Sequence, residues 1–234
     1  MTAPALSASS LELAGRLHPV RLQLAAGTLT TVIGPNGSGK TSLLRALARI
    51  DRPSGQVLIG EEDVDRLAPA RRSSLLSFMP AGREVVWPIS VGDLVELGVV
   101  KPDRNRVAEL LERLELTSLV QRPADELSTG ERARALLARA LVPLPCVLLL
   151  DEPLSNLDPY WVVRTLEILR DEARRGAVVA ISLHDLSLLH AFDRALMMAE
   201  GRLVADGTPD AVLADKRFRS VFRVIPADRG WCLS

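Results

Sequence analysis

The stretch Leu29-Thr30-Thr31-Val32-Ile33-Gly34-Pro35-Asn36-Gly37-Ser38-Gly39-Lys40-Thr41-Ser42-Leu43-Leu44 decides the fold class. Its first five residues read as a buried strand. Leu43, Leu44, Leu47 and Ile50 then follow helical spacing, and Pro53 marks the stop. Between strand and helix, Gly34 to Thr41 matches G-x-x-x-x-G-K-[ST] in full, in the setting that gives this pattern its meaning. Glycines let successive backbone N–H groups converge on phosphate oxygens, and the helix start adds the positive end of its dipole. Lys40 is expected on the β- and γ-phosphates of a nucleotide, and Thr41 on Mg2+.

Outward from this stretch, strand and helix signals alternate. Val20 to Leu24 reads as a half-buried strand and Gln56 to Ile59 as a short one. Val147 to Leu150 and Ala177 to Ser182 read as further strands, separated by a helix from Trp161 to Arg174. Such alternation predicts an α/β fold with a parallel sheet. Between Ala81 and Leu127 the character changes. Trp87-Pro88 is a breaker, and Val91 to Val99 and Val107 to Leu116 have helical patterning, which predicts a helical insertion. The tail after Lys216 fits neither template.

Asp151 ends an apolar strand, so its carboxylate should emerge at the sheet edge where ligands sit in open α/β folds. It is expected to hold Mg2+, and Glu152 beside it is placed to polarise an attacking water. Asp151-Glu152-Pro153 also reads as an ordinary strand-ending turn. Ser128, with Glu131 three residues on, forms a capping box opening an apolar helix over Ala135 to Leu141. A capped start beside Gly130 also presents free N–H groups to an anion.

The order and spacing of the Gly34 loop, Leu127-Ser128-Thr129-Gly130-Glu131 and Val147 to Glu152 resemble the ATP-binding-cassette (ABC) ATPases over nearly the whole chain. The resemblance implies a P-loop NTPase (RecA-like) α/β core with a mainly parallel sheet, an N-terminal antiparallel β part and an inserted α-helical subdomain. One domain would span 1–234, with the nucleotide core in 1–80 and 141–215, the helical part in 81–140 and a tail in 216–234. It implies ATP and Mg2+ as cofactors, with Gly34 through Ser42 around the nucleotide. His184 would sense the γ-phosphate, although a lone histidine also reads as structural. Ser128 and Gly130 would reach across a homodimer to the partner's ATP. Ser155-Asn156-Leu157-Asp158 resembles the segment lining that seam, and reads equally well as a polar turn before a helix.

Strings such as Arg83-Glu84, Trp87-Pro88, Glu96-Leu97-Gly98 and Ala205-Asp206-Gly207-Thr208-Pro209 resemble the ATPase subunits of cobalamin, iron-siderophore and haem importers. Such a subunit implies two transmembrane permease subunits and, indirectly, an extracytoplasmic substrate-binding protein. It would sit in the cytoplasm, peripheral on the inner face of the membrane. Three positions depart from the family pattern. Thr129 replaces a glycine, Ala81 replaces the glutamine after Pro80, and no aromatic residue stands upstream to stack on adenine, a role Arg16 could take through its guanidinium plane. Ala81 and Thr129 keep open a weakly hydrolysing or regulatory cassette, or one serving another substrate. DNA-maintenance and translation ATPases of the superfamily need a long coiled-coil insertion or a second cassette, and the sequence has neither.

Composition bounds these readings. Lys plus Arg and Asp plus Glu each number 29 in 234 residues, which argues against a large nucleic-acid footprint. Arg71-Arg72 and Arg174-Arg175 read as solvated faces. Cys146 and Cys232 have no metal-ligand spacing and fit a reducing compartment. The N-terminus lacks a secretory pattern, and no segment approaches the ~20 apolar residues of a membrane span.

Overall fold

The computed structural model describes residues 5–82, 85, 87–99, 101, 103–227 and 230–233. The chain runs through β1 (Leu6–Leu13), β2 (Leu17–Leu24), β3 (Leu29–Ile33), α1 (Lys40–Leu47), β4 (Ser54–Ile59), β5 (Glu62–Asp63), α2 (Pro69–Leu75) and β6 (Leu76–Met79). Three helices follow: α3 (Val91–Glu96), α4 (Arg104–Arg113) and α5 (Thr129–Leu141). Then come β7 (Val147–Leu150), α6 (Pro159–Arg174), β8 (Val178–Ser182), β9 (Arg194–Ala199) and β10 (Arg202–Gly207). The chain ends in α7 (Pro209–Leu213), α8 (Lys216–Phe222) and the hairpin β11 (Val224–Ala227) and β12 (Gly230–Leu233).

The central sheet has the order β10-β9-β3-β8-β7-β6 and is parallel except for β10 on β9. Every residue of β3, β7 and β8 is buried, as expected of strands covered on both faces. Period-two alternation divides them between two cores. Val32, Val147, Leu149, Val178 and Ala180 join α1 and the apolar faces of β1, β2 and β4. Ile33, Leu148, Leu150, Val179 and Ile181 join α6 and the helical layer of α3, α4 and α5. The second sheet, β2-β1-β4-β5, is antiparallel.

The α/β architecture agrees with the sequence expectation, while several elements differ. The first helix ends at Leu47 rather than Ile50. Arg49 turns to φ 56°, and Arg45 grips Asp51 through two hydrogen bonds of 2.8 and 2.6 Å. Strand β1 was not legible, because a register shift around Ser10 (φ 49°) breaks its alternation. The tail forms α8 and a hairpin, whose Trp231 stacks on Phe218 at a centroid distance of 5.7 Å. Arg71 pairs with Glu62, Arg174 with Asp171 and Arg175 with Glu172. Arg83 and Glu84 lie outside the described residues. Among those described, no helix is long and apolar enough to cross a membrane.

Candidate active site

Three adjacent central strands deliver their C-terminal ends to one place: β3 the Gly34 loop, β7 Asp151, and β8 the Leu183-His184 turn. Gly34 makes the first turn possible. A Cβ there would stand 2.4 Å from the carbonyl oxygen of Met198 on β9, so no other residue fits without moving the sheet. The loop then climbs to Lys40 at the head of α1.

A cavity of about 660 Å3 opens above this edge. Asn36, Gly37, Ser38, Gly39, Lys40, Thr41 and Ser42 line it, with Arg16, Glu152 and His184. Gly34 and Pro35 lie beneath, holding the loop. Lys40 is buried, and its Nζ donates to the carbonyl oxygens of Gly34 at 2.8 Å and Pro35 at 3.2 Å. Burial lowers its pKa, and the nearby Glu152 and Asp151 charges oppose that fall. The ammonium group is thus held among carbonyls and carboxylates, in the place a phosphate chain would occupy.

Ser182 ties the acidic pair together. Its hydroxyl donates to Asp151 Oδ1 at 2.6 Å and accepts from the Glu152 backbone N–H at 2.7 Å. Glu152 itself adopts φ 53°, a left-handed conformation costly for a non-glycine residue, and sits 2.6 Å through Oε1 from Nε2 of His184. Asp151 is almost fully buried, and its Oδ2 has no hydrogen-bond partner among the described residues. An unpaired buried carboxylate oxygen is costly and fits a ligand such as hydrated Mg2+. Thr41, exposed at the start of α1, supplies a second hard oxygen. No group of three or more His, Cys, Asp or Glu suited to a metal occurs among the described residues. A cation shared with phosphates needs only one or two protein oxygens.

Arg16 also lines the cavity, with its carbonyl oxygen 3.4 Å from where a Cβ on Gly39 would stand, and its guanidinium pairs with Asp51 at 3.4 Å. Arg45 holds that Asp51 carboxyl below its ordinary pKa through a hydrogen bond. Glu12 of β1, His18 of β2 and Glu200 of the β9–β10 turn also line the cavity, and none has a sequence signal, since each reaches the site only through the tertiary fold. The sequence marks Ser182 only as the end of a strand.

Ser128, Gly130 and Asp158 do not line this cavity. Ser128 caps α5 in a full capping box: its hydroxyl accepts from Glu131 N–H at 3.3 Å, and its N–H donates to the Glu131 carboxylate at 2.8 Å. Ser128 and Thr129 are exposed, and the space over Gly130 is open. Asp158 caps α6, accepting from the Trp161 N–H at 3.0 Å.

A family profile described as ABC transporter matches residues 17–155. The hemin import ATP-binding protein of Rhizobium etli is 34% identical over 247 residues, covering 95% of this chain and 94% of that protein. The cobalamin import ATP-binding protein of Halobacterium salinarum is 37% identical over 226 residues, covering 91% of this chain and 56% of that protein. Among solved structures, cbiO1 from Clostridium perfringens, part of an ABC transporter complex, superposes with a TM-score of 0.75 at 27% identity, covering 90% of this chain and 91% of that one. With the glycine loop, the acidic pair and His184 gathered on one sheet edge, these likenesses place the chain in the ABC transporter family, as an ATPase coupled to transport.

Proposed function

We propose that two copies of this chain close on two ATP molecules and drive two membrane permease subunits that import a metal chelate of the haem, cobalamin or iron-siderophore class. The names of the hemin and cobalamin import relatives support the substrate class. An extracytoplasmic binding protein would deliver the cargo, and the chain would lie in the cytoplasm against the inner membrane face through the permease. One observation carries the reading. The cavity gathers Lys40, Glu152 and His184, while outside it, at a capped helix start, Ser128 stands exposed and the space over the half-buried Gly130 is open.

In this reading the loop N–H groups from Asn36 to Thr41 and the Lys40 ammonium hold the phosphates, and Arg16 lies against the base. Bound Mg2+, held by Thr41 and Asp151, would supply charge neutralisation of the β- and γ-phosphates. A Glu152 carboxylate oxygen accepts a proton from water as the water oxygen attacks the γ-phosphorus and the bond to the β-phosphate oxygen breaks, releasing ADP. His184, freed from Glu152, turns its Nε2–H towards the γ-phosphate. Ser128 and Gly130 of the second copy complete the site, so both sites are composite and equivalent.

Glu152→Gln should bind ATP normally, turn over about 10²-fold more slowly and accumulate as a dimer by light scattering. Ser128→Arg in that background should abolish the dimer. Wild-type turnover by Glu152→Gln would remove the base from this account. A dimer that survives Ser128→Arg would leave residues 127–131 with helix capping alone. Stimulation of the reconstituted transporter by hemin or by cobalamin on its binding protein separates the cargoes.

A further inference from the structure

Arg134, half-buried, lies less than two turns past Ser128 on α5. Its guanidinium stacks over the indole of Trp161, with Cζ 4.2 Å from the ring centroid. The same group donates from Nη1 to the carbonyl oxygens of Leu114 at 2.6 Å and Glu115 at 3.1 Å, at the C-terminal end of α4. Glu115 (φ 52°) returns the contact, because its carboxylate accepts from the Tyr160 hydroxyl at 2.8 Å. Tyr160 and Trp161 meet edge to face at 5.3 Å. The loop of contacts is closed, and it joins three elements: the end of α4, the middle of α5 and the first turn of α6.

Trp161 is also the residue whose N–H is held by the Asp158 cap. One residue therefore carries the segment ending in Asp158 on its backbone and the helix led by Ser128 on its side chain. Trp161 is buried, and Arg134 lies half-buried against it, where burial lowers its pKa. In such a setting a cation over an indole is worth more than on an open surface.

The geometry points to Trp161 and Arg134 as positioning residues for the composite site: their stack fixes the angle between the Ser128–Gly130 helix start and the Asp158 segment, so that both meet a second copy of this chain together. This rests on the dimer reading above. Neither residue lines the nucleotide cavity, so ATP binding by a single chain is independent of the stack.

The experiment uses the full chain in the Glu152→Gln background, titrated with ATP and followed by light scattering, with nucleotide affinity of the dilute chain measured separately by a fluorescent ATP analogue. Trp161→Leu keeps an apolar side chain without the ring, and Trp161→Phe keeps a ring. Trp161→Leu should need on the order of tenfold more protein to dimerise at saturating ATP, at unchanged single-chain affinity. Trp161→Phe should return dimerisation to within about threefold of the parent, phenylalanine being the weaker partner for a cation. Dimerisation of Trp161→Leu at the parent concentration overturns the assignment. So does a parallel loss of ATP affinity, or a Trp161→Phe variant as impaired as Trp161→Leu, since each marks simple packing. Failure of Glu152→Gln alone to dimerise removes the dimer reading itself, and is seen before any Trp161 variant is made.

Discussion

His184 Nε2 lies 2.6 Å from Glu152 Oε1, although the two residues leave different strands and 31 others separate them in the chain. With Glu152 ionised, the ring N–H is the donor, and it occupies the carboxylate oxygen that would otherwise face water. In the mechanism proposed above, this contact would hold the base and the γ-phosphate sensor together until a nucleotide separates them. His184→Ala should lower turnover by about 10²-fold while the KM for ATP changes little, because the glycine loop is untouched. Steady-state ATPase kinetics decide it. A raised KM at normal kcat would mean that His184 serves ground-state binding alone.

Gly34 has its space filled before any side chain is added, with Met198 O and Ser38 Oγ each 2.4 Å from the position of a Cβ. Gly34→Ala should cost about 1–3 kcal/mol of stability through overpacking, and it should abolish measurable nucleotide binding as the loop shifts. Thermal unfolding and equilibrium binding read the two effects. Unaltered ATP affinity would show that the loop tolerates displacement.

Ala81 ends the turn after β6, and Thr129 stands exposed as the first residue of α5. Neither side chain offers what the family pattern places there. Ala81→Gln combined with Thr129→Gly should raise basal turnover of the isolated chain about fivefold, the worth of one recovered hydrogen bond. Adding the permease in nanodiscs should narrow that gap. Equal basal rates with no gain from the permease would mark both positions as tolerated variation.

Glu131 has its pKa held below the usual carboxylate value, first by the Ser128 backbone N–H and then by the Ser128 hydroxyl. A depressed folded-state pKa stabilises above the unfolded value of 4.5, and that contribution is lost as pH falls through the folded value. Glu131→Gln keeps the capping geometry and removes the titration. The variant should therefore have the lower unfolding temperature near neutral pH and lose its deficit as the pH falls below 4.5. A deficit constant from pH 7 to pH 3 would detach Glu131 from acid sensitivity.

What was legible in the chain was local. The β3–loop–α1 unit announces itself because strand burial, glycine spacing and helix periodicity sit in consecutive residues, and Val147 to Asp151 does so for the same reason. Strand β1 escaped because Ser9 and Ser10 interrupt its alternation, and β10 because only one of its six residues is buried. Ile50 keeps helical spacing yet lies past the helix end, since spacing cannot register that Arg45 captures Asp51. Ser182, His18 and Glu200 enter the site by tertiary proximity, which no local pattern encodes. The Arg134–Trp161 stack is of the same kind, joining a helix of the insertion to the core.

The sheet order has a consequence for how the protein comes into being. Strand β3 carries the glycine loop near the start of the chain, but its neighbours are β8 and β9, so Val32 pairs with Ser182 and Leu196. The loop cannot be set against Asp151 and His184 until all these strands are present. Such long-range parallel pairing is slow, because loop-closure entropy is lost before the contacts form. A growing chain leaving the ribosome can pack α1 on β1 early, but it exposes β3 without its sheet neighbours until β8 and β9 are made, and acquires nucleotide binding only then. Nascent chains stalled before residue 182 should retain no ATP, and those long enough to free residue 199 from the exit tunnel should begin to do so.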